Sequence, residues 1–275
     1  MELRGRGLRQ PCERRAHRYA LALPGAAVTA IELRSLTKRY GARTALDGLT
    51  LSIAPRCFCA LLGPNGAGKS TLFQILTGLF AADAGQALIA GHDIRTQPVA
   101  ALAALGVVFQ QSALDLDLSV ERNLRFHAAL HGLPRRVADE RIEQGCAALG
   151  IATDRQRAVR ELSGGNRRKV ELVRALLHRP AVLLMDEASV GLDPASRRDL
   201  LAALRADIAE RATTVLWATH LVEEAQGADR VLVLHHGKLL ADGTPADVSA
   251  ALGGTTLEAG FIQRTRPTQK KTIAS

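Results

Sequence analysis

Gly63-Pro64-Asn65-Gly66-Ala67-Gly68-Lys69-Ser70-Thr71 decides the fold of this chain. It follows a short apolar run over 58–62 and precedes an apolar-periodic run over 72–79, so it reads as a strand, a glycine-rich loop and a helix. Gly63, Gly66 and Gly68 let the backbone curl until successive N–H groups point inward, as a row of phosphate oxygens requires. The helix starting near Lys69 adds unpaired N–H groups and the positive end of its dipole. Lys69 is then placed to reach β- and γ-phosphates, and the Ser70 hydroxyl to ligate Mg²⁺, with Thr71 beside it. The stretch is a phosphate-binding loop (P-loop) for a nucleoside triphosphate.

Outward from this loop the chain alternates short apolar strands with amphipathic helices. The pattern predicts strands over 31–36, 50–53, 58–62, 87–90, 106–109, 182–185, 214–218 and 231–234. Helices are predicted over 69–79, 120–130, 135–149, 165–177 and 195–210, with Pro134 and Pro194 at two of the starts. The strands before Asp186 and Thr219 are apolar throughout, as central parallel strands covered on both faces are. The fold class expected is α/β: a P-loop NTPase core with a mainly parallel sheet, an antiparallel β subdomain and an inserted α-helical subdomain. That insertion spans about 111–163, where no strand pattern appears. Residues 29–252 are expected to form the folded domain, after a basic disordered extension over 1–28 and before a polar basic tail over 253–275.

Charge sits at the two ends. The whole chain carries +9, of which residues 1–20 supply +4 and residues 261–275 another +4, leaving a body of +1. A near-neutral body gives no electrostatic footprint for nucleic acid, and no nucleic-acid partner is expected. No run of eighteen apolar residues occurs, so any membrane role needs a span supplied by another chain. Arg14-Arg15 followed by the mainly apolar 19–31 imitates a secretory signal, but Pro24-Gly25 breaks it and cleavage after Ala30 would fall at the first strand. Cys12, Cys57, Cys59 and Cys146 lack metal-ligand spacing; Cys57 and Cys59 flank Phe58 on one strand and face the same packing layer.

A second group of motifs lies about a hundred residues on. Residues 181–187, Ala-Val-Leu-Leu-Met-Asp-Glu, form an apolar strand ending in two carboxylates. Asp186 suits the holding of Mg²⁺, and Glu187 suits orienting or deprotonating a water that attacks the γ-phosphate. Leu162-Ser163-Gly164-Gly165-Asn166 places Ser163, Gly164 and Gly165 at a predicted helix start, a second anion seat. One triphosphate does not need two such seats on one chain. A two-fold pair, in which this seat closes over the partner's nucleotide, uses both.

These residues in this order resemble the ATP-binding subunit of an ABC transporter, over about 31–248. Leu162 to Asn166 is similar to the family's signature LSGGQ, with Asn166 in the last place. The resemblance implies further roles: Gln110 as a Mg²⁺ ligand that senses the permease, Asp193 in a loop that communicates across the dimer, His220 gripping the γ-phosphate, and Tyr40 stacking on adenine. It also implies ATP hydrolysis driving dimer closure and opening, with Lys69, Glu187 and His220 as the catalytic set. Partners are then a second copy or a homologous subunit and an integral-membrane permease, at the inner face of the cell membrane. Ala188-Ser189 stands where the family has Pro-Thr, which is expected to loosen the turn after Glu187. The missing C-terminal regulatory domain tilts the reading towards export. The 164–172 and 190–194 segments are similar to cassettes associated with quinoprotein alcohol oxidation and to drug-export and nodulation-type cassettes. The alternative is a single-cassette ABC ATPase acting on nucleic acid or ribosomes; such factors carry two cassettes or long coiled coils, and this chain has neither.

Overall fold

The computed structural model describes residues 29–265; the expected N-terminal extension and the last ten residues lie outside them. Two sheets form. The first joins β1 (Ile31–Tyr40), β2 (Arg43–Ile53), β4 (Ala84–Ile89) and β5 (His92–Asp93) in the order β2-β1-β4-β5, antiparallel throughout. The second contains β3 (Phe58–Leu62), β6 (Leu105–Val108), β7 (Val182–Asp186), β8 (Thr214–Thr219), β9 (Arg230–His235) and β10 (Lys238–Gly243) in the order β10-β9-β3-β8-β7-β6. All pairs in it are parallel except the β9–β10 hairpin.

The parallel sheet is the wall between two cores, and its sequence says why. On β3 and the residue before it, Phe58, Ala60 and Leu62 face one core while Cys57, Cys59 and Leu61 face the other. On β7, Leu183 and Met185 alternate with Val182 and Leu184 in the same way. Side chains alternate across a strand, so a strand buried on both faces reads as an unbroken apolar run. The Cys57–Cys59 expectation is borne out: both are buried on one face, against the antiparallel sheet.

In chain order the helices are α1 (Lys69–Leu76), α2 (Pro98–Ala103), α3 (Val120–Leu130), α4 (Arg135–Ala148), α5 (Gly164–Leu176), α6 (Pro194–Arg211), α7 (Val222–Gln226), α8 (Pro245–Ala251) and α9 (Leu257–Thr265). Between Gln110 and Ser163 the described backbone holds α3, α4 and two 3₁₀ turns, with no strand. Periodicity located the long helices to within three residues at each end. It missed the short ones (α2, α7, α8), where one turn of apolar residues has no period to show, the two-residue β5, and β10, where only Ala241 is buried and no strand pattern shows.

One expectation needs correction. A polar tail was expected from residue 253, but residues 257–265 form α9. Leu257 and Phe261, one helical turn apart, are buried in the main core beside Leu252. Two apolar residues at that spacing are enough to dock a turn of helix onto existing structure, though too few to show as a periodic pattern.

Candidate functional site

Four neighbouring parallel strands, β3, β8, β7 and β6, end at the same edge of the sheet. The P-loop follows β3, His220 follows β8, Asp186 ends β7 with Glu187 next, and Gln110 comes two residues after β6. Carboxyl ends of parallel strands are where α/β sheets gather ligand groups. A cleft there is lined by Tyr40 and Arg43, the loop from Pro64 to Thr71, Gln110, Glu187 and His220.

The loop is shaped by its glycines. Gly68 precedes α1 at φ 112°, and a Cβ there would lie 2.5 Å from the Ala45 carbonyl oxygen. A Cβ on Gly63 would lie 2.5 Å from the Leu234 carbonyl oxygen. The loop is thus wedged between β2 and β9, and Gly237 N–H, from the turn after β9, donates to Ala67 O at 2.9 Å. Gly66 also has positive φ, 78°.

Lys69 is 5% exposed and donates to the Gly63 and Pro64 carbonyls at 2.6 and 3.2 Å. Its Nζ lies 3.9 Å from Glu187 Oε1. Burial lowers the Lys69 pKa despite the raising effect of Glu187 and Asp186. Burial likewise raises the Asp186 pKa, with the Glu187 charge adding and Lys69 opposing. Both groups are desolvated charges in want of more opposite charge.

Glu187 is the hub. Gln110 Nε2 donates to Glu187 Oε2 at 3.1 Å, and the His220 Nδ1–H donates to Oε1 at 3.0 Å. Glu187 also has φ 45°, a left-handed conformation that a non-glycine residue adopts only when its surroundings impose it. Its own N–H bonds the Ala218 carbonyl at 2.9 Å, which fixes β7's exit to β8. Tyr40 stands at the cleft mouth, 43% exposed, with its edge to Phe80 at 6.3 Å between centroids.

Ser163, Gly164, Gly165 and Asp193 do not line this cleft. They form a separate group. Ser163 caps α5, its Oγ accepting from Asn166 N–H at 3.2 Å. Asp193 caps α6, accepting from Ala195 and Ser196 N–H and from the Ser196 hydroxyl. A Cβ on Gly165 would lie 2.5 Å from Ser196 Oγ, so the two helix starts touch. Gly164 has nothing within 4 Å of its Cβ position. The Asn166 side chain turns away and donates to buried Asp154 at 2.8 Å, so it is occupied in holding the turn.

Two features escaped sequence reasoning. Ala188 and Ser189 do not loosen the turn after Glu187. Both are buried, and the Ser189 hydroxyl donates to Glu224, whose other oxygen accepts from Thr219 Oγ1 at 2.5 Å. Arg168, on α5, donates to the carbonyls of Phe109 and Gln110 at 2.6 and 3.1 Å. An arginine two residues after Asn166 carries no signal of a backbone partner 58 residues upstream.

Residues 46–190 match the family described as ABC transporter. The chain is 36% identical over 240 residues to the probable multidrug ABC transporter ATP-binding protein YbhF of Escherichia coli (strain K12), covering 86% of this chain and 41% of that one. It thus spans about two fifths of that relative's length. To the daunorubicin resistance ATP-binding protein DrrA3 of Streptomyces coeruleorubidus it is 38% identical over 231 residues, covering 84% and 73%. Among solved structures it resembles an ATP-binding subunit of an ABC transporter, with TM-score 0.78 and 27% identity, covering 86% of this chain and all of the other. With the P-loop, the two carboxylates and the capped LSGGN helix in one α/β fold, the chain belongs to the ABC transporter family.

Proposed function

We propose that this chain hydrolyses ATP as half of a two-fold sandwich and so drives export through a separate membrane-embedded permease, from the inner face of the membrane. The observation that carries the reading is Glu187: a carboxylate oriented by Gln110 and His220, 3.9 Å from the P-loop lysine. Tyr40 would stack on the adenine, and the loop N–H groups with Lys69 would seat the phosphates. Lys69 would exchange its two loop carbonyls for phosphate oxygens, which offset its desolvation better.

Ser70, Asp186 and Gln110 offer a hydroxyl, a carboxylate and an amide oxygen, the hard donors that suit Mg²⁺. Asp186 fits on chemical grounds too, because burial and the neighbouring Glu187 charge raise its pKa, and a bound cation would offset both. When bound, the ion would neutralise charge building on the β- and γ-phosphates. Glu187 takes a proton from water as the water oxygen bonds the γ-phosphorus and the bridging oxygen leaves with ADP. His220 holds Glu187 by its Nδ1–H, leaving the far edge of its ring toward the phosphate.

Ser163, Gly164, Gly165 and Asp193 would act on the partner's nucleotide. Their lying outside the chain's own cleft, together with the open space at Gly164, supports that reading. No helix among the described residues is long and apolar enough to cross a membrane, consistent with a permease on another chain. The relatives named for multidrug transport and drug resistance favour export over action on nucleic acid. The test is Glu187→Gln in purified protein with Mg²⁺-ATP. It should bind ATP and pair while its turnover falls at least ~100-fold, the range for losing a general base. Wild-type turnover would refute the assignment.

A further inference from the structure

Away from the nucleotide edge, three histidines meet that the reading above leaves unused. His127 and His131 stand four residues apart at the end of α3, and His178 lies just beyond α5, against the start of β6. One ring nitrogen from each lies within 4.8 Å of one from each of the others. The His131 and His178 rings stack, with centroids 3.8 Å apart and planes 11° apart, and His127 lies 4.7 Å from His131.

The hydrogen bonding of this group is incomplete in one particular way. His178 Nε2 lies 3.1 Å from the Leu105 carbonyl oxygen and must donate to it, so Nδ1 carries the lone pair. That Nδ1 is buried and has no hydrogen-bond partner, and neither has the buried Nε2 of His127. A histidine that donates one nitrogen to a backbone carbonyl and leaves the other bare is oriented as metal-binding histidines are. Two histidines at i and i+4 share one helix face, a spacing that lets both reach one ion.

We propose that His127, His131 and His178 form a binding site for a divalent late transition metal ion, with Zn²⁺ as the reference, holding three imidazoles and leaving a fourth position for water. An all-imidazole set selects zinc, nickel or copper over magnesium and calcium, which need oxygen donors. Zn–N bonds of about 2.0–2.1 Å place ligand nitrogens roughly 3.3 Å apart. The rings therefore draw together by side-chain rotation when the ion enters.

Burial supports the geometry by keeping the rings neutral. It pushes His127 down to about 3, with Arg174 adding, and His178 down to about 4, with His131 and then Arg141 adding and the Leu105 carbonyl hydrogen bond opposing. No proton then competes for either lone pair at neutral pH. The charges of Arg174 and Arg141 oppose a cation and limit its affinity. Arg174 is itself engaged by the Val107 and Ala113 carbonyls, and Arg141 by the Leu177 carbonyl. A bound ion would tie α3 to the end of the helix whose other end carries Ser163.

The test uses tag-free full-length protein, without nucleotide, in metal-stripped buffer. Zn²⁺ is measured by equilibrium dialysis and Co²⁺ by its visible absorption. One equivalent should bind, with visible Co²⁺ bands, and excess Mg²⁺ should not displace it. Binding should weaken at least tenfold in His178→Phe, which keeps a stacked ring, and in His127→Gln. It should be unchanged in a His235→Asn/His236→Asn double variant. Equal affinity in wild type, His178→Phe and His127→Gln overturns the proposal. So does no binding, displacement by Mg²⁺, or loss only in the His235/His236 variant. His127→Gln carries the test if His178→Phe does not fold.

Discussion

Arg168 on the LSGGN helix holds the backbone carbonyl of Gln110 at 3.1 Å, so the two motifs are joined within one chain by a single guanidinium. The same group pairs with Glu171 at 2.5 Å, and both side chains are buried. The start of α5 and the residue that touches Glu187 therefore share one rigid link.

Arg168→Met should destabilise the fold by about 3–5 kcal/mol, because it leaves the Glu171 carboxylate buried without its partner. Adding Glu171→Gln to that variant should restore much of the loss. Urea denaturation of the two single variants and the double variant gives the coupling. Additive losses would mean that the pair is not coupled.

Glu187 is held at φ 45°, so replacing it separates backbone strain from chemistry. Glu187→Gly should be more stable than Glu187→Ala by about 1 kcal/mol, since glycine adopts the left-handed region without penalty. Both should lose turnover equally. Denaturation midpoints and phosphate release, measured side by side, decide this.

Lys69 has its pKa lowered by burial, so at neutral pH its charge works against the nucleotide-free fold. The unfolded chain binds the proton more tightly, and stability gains from this group as pH climbs towards the ordinary lysine value of 10.5. Lys69→Met should therefore match or exceed the wild type in Tm without nucleotide. It should lose the Tm rise that ATP gives the wild type. The wild type should also gain on Lys69→Met as the pH is raised from 8 to 10. A variant that is less stable at pH 7 and still stabilised by ATP would contradict this account.

Gly164 and Gly165 distinguish a partner's contact from an internal one. Gly164→Ala meets nothing within 4 Å in its own chain and should shift stability by less than about 1 kcal/mol. If this turn closes over a partner's nucleotide, turnover should still fall at least tenfold. Gly165→Ala collides with Ser196 and should disturb the Asp193 cap, costing about 1 kcal/mol. Full activity in Gly164→Ala would argue against the sandwich.

The sequence alone determined the P-loop, the apolar strand ending at Asp186, the LSGGN helix start, and hence the α/β class and the triphosphate chemistry. Each of these is a local pattern, in which spacing along the chain equals spacing in space. Only the tertiary structure decided that Gln110 and His220, each weak by itself in sequence, share hydrogen bonds with Glu187, because strand order in the sheet and not chain order makes them neighbours. It alone decided the strain at Glu187, the Ser189–Glu224–Thr219 tie and the reach of Arg168. The docking of α9 and the meeting of three histidines from the end of α3 and the segment after α5 belong with them. Long-range contacts of this kind depend on how separate elements pack, and no periodicity in a single segment encodes them.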